Sequence, residues 1–264
     1  MAKKKARSSP VRHPLTPEIM TEIGGLTAAP PPAGDFRPDG NWTAWYRIWT
    51  CYGHRNRSNV TAGALGITRR PGAGGAQRLT VRQVLRNSQG KRHTLRAEAD
   101  CRGDALDSPT SWTLTSEFGG AHMADLPEMK STAAGRIRDG VWETSAGGSP
   151  RKTKLPSPAT GDWCLFEAVQ RMPFRAGGSL TFAVLEGLSV LKADHRLWYR
   201  GRQDVTWGPE RLRLHRFDQV GRGVYPYEYW LDEAHRLLLV TTGPRSYILD
   251  PAAAELTVTG GTKR

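Results

Sequence analysis

Histidines are the residues of this sequence with the clearest capacity for acid–base or metal chemistry. Seven are spread along the chain, and no two stand four residues apart, which is the spacing of a helical metal-binding pair. Two of them follow a carboxylate closely, in Asp194-His195 and in Glu233-Ala234-His235, and both pairs fall in predicted turns. We interpret both as solvated turns. Histidines and carboxylates from separate strands could still meet, so a metal-dependent hydrolase stays open as one alternative.

Nucleophile and phosphate-binding signatures do not accompany these histidines. Ser149 and Ser179 each follow a glycine but lack the second glycine of a nucleophile elbow, which also needs a strand–turn–helix setting. The glycine-rich run at residues 72–75 is not followed by Lys-Ser or Lys-Thr, so it predicts a hairpin loop rather than a phosphate cradle. We therefore expect a protein that is not an enzyme, with no catalytic residues, metal site or cofactor.

The three cysteines, Cys51, Cys101 and Cys164, lie far apart and form no Cys-x-x-Cys pair. This spacing argues against a zinc ribbon or a redox motif, and the odd count argues against a full disulfide framework. One bridge is open, between Cys51 and Cys101, if their strands are neighbours. We favour three buried thiols.

The charge balance favours acidic partners. The formal net charge is +13 and the pI is about 10.1. Aromatic residues also alternate with arginines at 45–49 and 198–202, as they do where bases stack in single-strand binders. In a half-buried strand such rings normally face the core while the arginines face water, and we favour that interpretation. A basic interaction module for nucleic acid or an acidic polysaccharide stays open as the second alternative.

Three consecutive stretches alternate apolar and polar residues with a period of two, at residues 79–86, 93–101 and 112–118. This pattern is typical of antiparallel strands with one buried and one solvated face. Further strands are expected from Trp42 onward and between Leu180 and Leu249. The predicted fold is mainly β, with one large curved antiparallel sheet, a half-barrel.

Between these groups of strands the period becomes helical. Asp162 can cap a helix over about residues 163–172 that ends at Pro173, and Leu165, Phe166 and Val169 share its apolar face. We expect this short helix to pack on the concave face of the sheet.

The domain organisation predicted from composition is simple. Residues 1–38 are basic and proline-rich and predict a flexible tail, with a helical turn or two open from Pro17, and residues 39–260 predict a single β half-barrel domain. No export signal is visible, and no apolar run approaches the roughly 20 residues that cross a bilayer.

Three features of the C-terminal half occur together in a known kind of protein. They are the helix and proline turn at 161–173, the apolar strand 180–185, and the run 229–232 followed by a turn and the apolar strand 236–242. With these features, residues 160–250 resemble an uncharacterised family of bacterial cell-envelope proteins, whose fold is similar to the lipoprotein-carrier and outer-membrane-lipoprotein superfamily. The resemblance implies a curved half-barrel partly closed by helices, acyl-chain binding in its cavity, and a cell-envelope or periplasmic location.

The leading hypothesis is a non-enzymatic binding protein that holds a lipid or other apolar ligand in the concave face. A half-barrel must cover its apolar concave face with helix, loop or ligand, because large exposed apolar patches are rare. The candidate ligand-binding residues are Trp112, Leu114 and Phe118 from the sheet, with Leu165, Phe166 and Val169 from the helix. Each of them could equally be plain core.

Overall fold

The computed structural model describes residues 16–51, 59–86, 91–119, 129–146, 149–156, 158–175 and 177–258. Within them, fifteen strands form one sheet. The strands are β1 (Trp42–Thr50), β2 (Val60–Pro71), β3 (Gln77–Arg86), β4 (Arg92–Cys101), β5 (Pro109–Gly119), β6 (Met129–Arg138), β7 (Val141–Ala146), β8 (Ser149–Lys154), β9 (Ala159–Gly161), β10 (Leu180–Glu186), β11 (Val190–Trp207), β12 (Glu210–Val220), β13 (Tyr227–Leu231), β14 (Leu237–Thr242) and β15 (Arg245–Leu249).

The sheet is built from consecutive antiparallel hairpins. Strands β1 to β8 lie side by side in chain order, and so do β9 to β15. The two halves join where β1 pairs with β15, and among the described pairs only β9 with β10 is parallel. The predicted mainly β fold with a large curved antiparallel sheet is confirmed.

Strand β4 shows why the alternating pattern forms a sheet with one covered face. Leu95, Ala97, Ala99 and Cys101 are buried, whereas Arg96 and Glu98 between them are exposed. Cross-strand pairing carries the same face onto β3 and β5, with Val81 and Leu114 opposite Ala97. The inner face is therefore apolar over adjacent strands.

Helix α2 (Asp162–Arg171) lies inside the curve of the sheet, as the helical pattern predicts. Every residue from 163 to 170 is buried, including Glu167 and Gln170. Its side chains reach Tyr46 of β1, Arg69 of β2 and Tyr229 of β13, so strands from both halves surround it. A helix enclosed in this way needs an apolar surface on most sides, with its few polar groups paired.

The curl brings the two halves of the sheet together near β9. The Oγ1 hydroxyl of Thr160 in β9 donates to the carbonyl oxygen of Leu106, just before β5, at 2.6 Å. Strands β6, β7 and β8 continue beyond that point of approach.

A short helix, α1 (Pro17–Glu22), packs on the outer face and differs from the flexible tail expected for residues 1–38. Met20 is fully buried, and its Sδ accepts a hydrogen bond from Ser246 at 3.3 Å. Leu26 is also buried, and Trp207 Nε1 donates to the carbonyl of Ala28 at 2.9 Å. The apolar residues of this stretch cover the outer side of the sheet, so residues 16–38 are ordered against it. Residues 1–15 lie outside the described residues.

A 3₁₀ turn (Pro251–Ala254) and α3 (Glu255–Val258) end the described chain, beside β2 and β3. Arg92 Nη2 donates to the carbonyl of Thr257 at 3.1 Å, which ties this end to β4. In the part of the chain described here, none of the helices has the length and apolar character needed to cross a bilayer.

The cysteines occupy positions different from those expected for a Cys51–Cys101 bridge. All three are free thiols; Cys101 and Cys164 are buried and Cys51 is half-buried. The sulfur beside Cys101 is that of Cys164, at 3.9 Å, because the curl of the sheet places α2 against the end of β4.

Candidate functional site

The three helix residues expected to line a ligand cavity are packed core. Leu165 and Val169 are fully buried and Phe166 nearly so. The Phe166 ring meets Tyr46, Tyr229 and Tyr247 edge-on, with centroids 5.6, 6.2 and 5.3 Å away. Edge-to-face packing of this kind fills space tightly. The side chains of helix α2 therefore fill the inside of the curved sheet.

The three sheet residues share the inner face of β5 but differ in exposure. Trp112 is buried, and its indole lies so close to Gly135 of β6 that a Cβ there would clash. Leu114 and Phe118 are only half-buried. Phe118 pairs across the strands with Met129, which is 60% exposed. The six predicted residues thus separate into a packed group of four and a half-open pair on β5.

A groove of about 470 Å³ lies at this half-open end of β4, β5 and β6. The arginines, Glu117 and Lys130 project from the outer face of these strands, whereas the side chains of Phe118 and Met129 project from the inner face and reach the groove only at the strand ends. The lining residues are Arg92, Thr94, Arg96, Glu117, Phe118, Gly119, Met129 and Lys130. Lys130 Nζ lies 3.0 Å from Glu117 Oε1 and, through that bond, lowers the pKa of Glu117. Three cations against one carboxylate leave the groove basic.

A second groove, of about 390 Å³, lies on the outer face of β1 to β4. The Trp45 ring lies flat over Gly66, where a side chain would have no room, so the ring forms the floor. Arg70, Arg78 and Arg82 line the groove together with threonines. The Nε of Arg78 contacts Asp100 Oδ1 at 2.8 Å. Trp45 is half-buried, not core, so the aromatic–arginine pattern at this strand does reach the surface.

A cluster of aromatic rings and histidines forms at the C-terminal end of α2. Phe174 is stacked between His215, at a centroid distance of 3.6 Å, and His235, at 3.8 Å. Glu233 is exposed and lies 3.1 Å from His215 Nε2, while the Tyr199 hydroxyl lies 2.6 Å from Nδ1. In a neutral imidazole Nε2 then donates to the carboxylate and Nδ1 accepts from the phenol.

The solvated-turn interpretation is wrong for His195 and incomplete for His235. His195 is 1% exposed, Gln219 donates to its Nδ1 at 2.9 Å, and burial lowers its pKa. Burial and, second, the charge of His215 lower the pKa of His235. Neither Phe174 nor His215 carries a sequence signal, because the stack joins residues of four separate segments.

Charged groups are also paired inside the barrel. Glu167 of α2 is fully buried and accepts from Arg69 Nε at 2.8 Å and from Arg171 Nε at 2.6 Å. Arg171 also donates to the carbonyls of Gly103 and Asp104. A buried carboxylate held by two guanidinium groups is compatible with burial because its charge is compensated. This network fixes the orientation of α2 within the sheet.

Comparison with known proteins supports the fold and identifies no ligand. No protein-family profile matches the sequence, and no curated protein matches it. The chain is similar to a crystal structure of a β-barrel-like protein of the domain of unknown function DUF1849 from Brucella abortus. The similarity has a TM-score of 0.54 and 11% identity, and covers 81% of this chain and 95% of the other. It supports a β-barrel-like fold of the kind found in an uncharacterised protein.

Proposed function

We propose that the protein is a non-enzymatic binding protein for an anionic amphiphile, held in the groove at the end of β4, β5 and β6. The observation that carries this is the half-open pair of Phe118 and Met129 at the strand ends whose opposite face bears Arg92, Arg96 and Lys130. An acyl chain on the apolar pair, with its acidic head turned over the strand ends toward these cations, would contact both.

The packed interior supports a ligand position at the groove rather than inside the sheet. Because Phe166 and its neighbours on α2 fill the barrel, a chain enclosed there would have to displace the helix. Leu114 and Phe118 keep part of their surface open, and a ligand there covers it without rearrangement. Most ligand sites are largely formed before the ligand binds.

A fluorescent fatty acid, cis-parinaric acid, tests the proposal directly. We expect saturable binding, weakened about tenfold or more in Phe118→Ala and Met129→Gln, because each loses roughly 1.5–3 kcal/mol of apolar contact. The matched control is Val190→Thr, which removes an exposed apolar group from β11. Equal binding by wild type and both groove variants would contradict the proposal.

The head-group part of the proposal has its own test. Arg96→Gln should weaken the fatty acid more than the corresponding fatty alcohol, since only the acid carries a charge that Arg96 can attract. An equal loss for the two ligands would show that the cations do not recognise the head.

The groove at Trp45 favours a second candidate, a polyanion site. An indole floor between arginines is the arrangement on which bases or sugar rings stack beside phosphates or carboxylates. Trp45→Ala should weaken single-stranded oligonucleotide binding by about 1–3 kcal/mol, and Arg82→Gln should lower the salt slope by about one. Binding that disappears at physiological salt in wild type would reduce this site to nonspecific attraction.

A further inference from the structure

Three potential metal ligands meet inside the barrel. Cys101 ends β4, Cys164 lies in the first turn of α2, and Asp107 lies in the connection between β4 and β5. One ligand atom of each lies within 4.8 Å of the other two, and all three residues are buried. The sulfur atoms are 3.9 Å apart.

Two buried oxygen atoms at this place have no hydrogen-bond partner among the described residues. They are Asp107 Oδ2 and Gln77 Oε1. Gln77 is the cross-strand partner of Cys101, and its amide nitrogen donates to Asp107 Oδ1, which leaves the amide oxygen as the free acceptor. Buried acceptors without a donor are costly and rare. A cation between the thiols and these oxygens would satisfy both.

The sulfur separation matches tetrahedral coordination. With zinc–sulfur bonds of about 2.3 Å, two thiolates of a tetrahedral site lie about 3.8 Å apart, whereas a disulfide needs about 2.0 Å. We propose that Cys101, Cys164 and Asp107 bind one Zn²⁺-type divalent cation, with Gln77 Oε1 as the fourth ligand. Binding converts both thiols to thiolates and releases two protons to solvent.

The surrounding charges suit such a centre. A divalent cation with two thiolates and one carboxylate keeps one negative charge, and Arg171 Nη2 lies 3.9 Å from Asp107 Oδ1. The connection that carries Asp107 is also held in place. Asp104 accepts from the backbone N–H groups of Leu106 and Ser108, and Arg171 donates to the carbonyls of Gly103 and Asp104.

The site would join three parts of the fold. It links β4, the β4–β5 connection and α2, which enclose it from opposite sides. Because the cation would hold α2 to β4 and to the β4–β5 connection, metal binding and the folded state are coupled.

Refolding the full-length reduced protein with Zn²⁺ alone, or with a chelator alone, tests the site. We expect one tightly held zinc per chain and a higher melting temperature with zinc. Replacing zinc by Co²⁺ should produce thiolate-to-cobalt charge-transfer absorption and the strong visible bands of tetrahedral cobalt. Cys101→Ser and Cys164→Ser should each lose more than about tenfold in affinity, since even residues behind the ligands change it by 10–100-fold.

Cys51→Ser is the matched control, because Cys51 lies outside the cluster, and it should bind the metal like wild type. If the cluster variants do not fold, the test is competition for zinc between the folded wild-type protein and a chromogenic chelator. Stoichiometric zinc that resists the chelator supports the site. Failure to retain zinc overturns it, as does equal loss in Cys51→Ser, or a Cys101–Cys164 disulfide in a non-reducing peptide map of the purified protein.

Discussion

At the scale of single residues, two side chains of the same type, both predicted to lie on inner faces, differ in burial. Phe166 and Phe118 are both aromatic residues on predicted inner faces. Phe166 is enclosed by three tyrosine rings, whereas Phe118 ends a strand beside an exposed methionine. The first therefore contributes to stability and the second to the proposed ligand surface.

Truncation of these two rings should lower stability to very different degrees. We expect Phe166→Ala to lower the free energy of unfolding by about 3–5 kcal/mol, because it leaves a cavity among rings that cannot collapse. Phe118→Ala should cost much less, since its ring is already half-open to solvent. Urea denaturation measures both. Near-wild-type stability of Phe166→Ala would count against a helix packed inside the sheet.

At the scale of elements, the short helices cover opposite faces of one sheet. Helix α2 fills the inside, and α1 covers the outside near Trp49 and Trp207. The Thr16 side chain accepts from Ile19 N and caps α1, and the Thr21 hydroxyl donates to the carbonyl of Thr206. A six-residue helix has little stability alone, so α1 depends on this contact.

The outer contact of α1 predicts a large effect at one position. Met20→Ala should lower the free energy of unfolding by about 2–5 kcal/mol, because Met20 is fully buried against the sheet. Glu22→Ala on the same helix is the control and should change stability by less than about 0.5 kcal/mol, because Glu22 is exposed. Similar melting temperatures for the two variants would show that α1 does not stabilise the sheet.

At the scale of the whole molecule, enclosure changes how the protein titrates. Burial raises the pKa of Asp162 and of Glu228 to about 7. Burial lowers the pKa of His195 and of His235. Between about pH 5 and 7 the folded state thus holds protons on carboxyls that the unfolded chain has lost, and it binds protons at the two histidines less readily than the unfolded chain does.

Through these carboxyls, stability should fall as pH rises from about 5 to 8. In this window the folded carboxyls hold protons that the unfolded ones have already lost, so their contribution to the slope of unfolding free energy with pH is negative. The two histidines act in the opposite direction, because below about pH 7.5 the unfolded imidazoles bind protons that the buried ones bind less readily, so acidification through them destabilises the fold. Denaturation at several pH values measures the slope. Asp162→Asn should make the slope less negative and Glu210→Gln, an exposed control, should not; equal slopes for wild type and Asp162→Asn would contradict the raised pKa of Asp162.

Local patterns determined much of this fold. Period-two alternation in β3, β4 and β5 identifies the strands and their buried faces, because successive side chains of a strand point to opposite faces of the sheet. The change from a period of two to a helical period at Asp162 identifies α2, because the apolar residues then recur once per helical turn. The same alternation identifies Phe118, a lining residue of the groove, as a residue of the apolar face of β5.

Which segments pack against those apolar faces is determined only by the tertiary structure. Nothing local separates Phe166, which is enclosed, from Phe118, which is half-open, because that depends on which strands curl around α2. Cys101 and Cys164 are 63 residues apart in the chain, yet their sulfur atoms face each other. Met20 lies in a segment whose composition suggests a tail, yet it is buried because the outer face of a distant strand pair offers it an apolar surface. Such contacts arise from pairing between distant segments, and no periodicity within either segment encodes them.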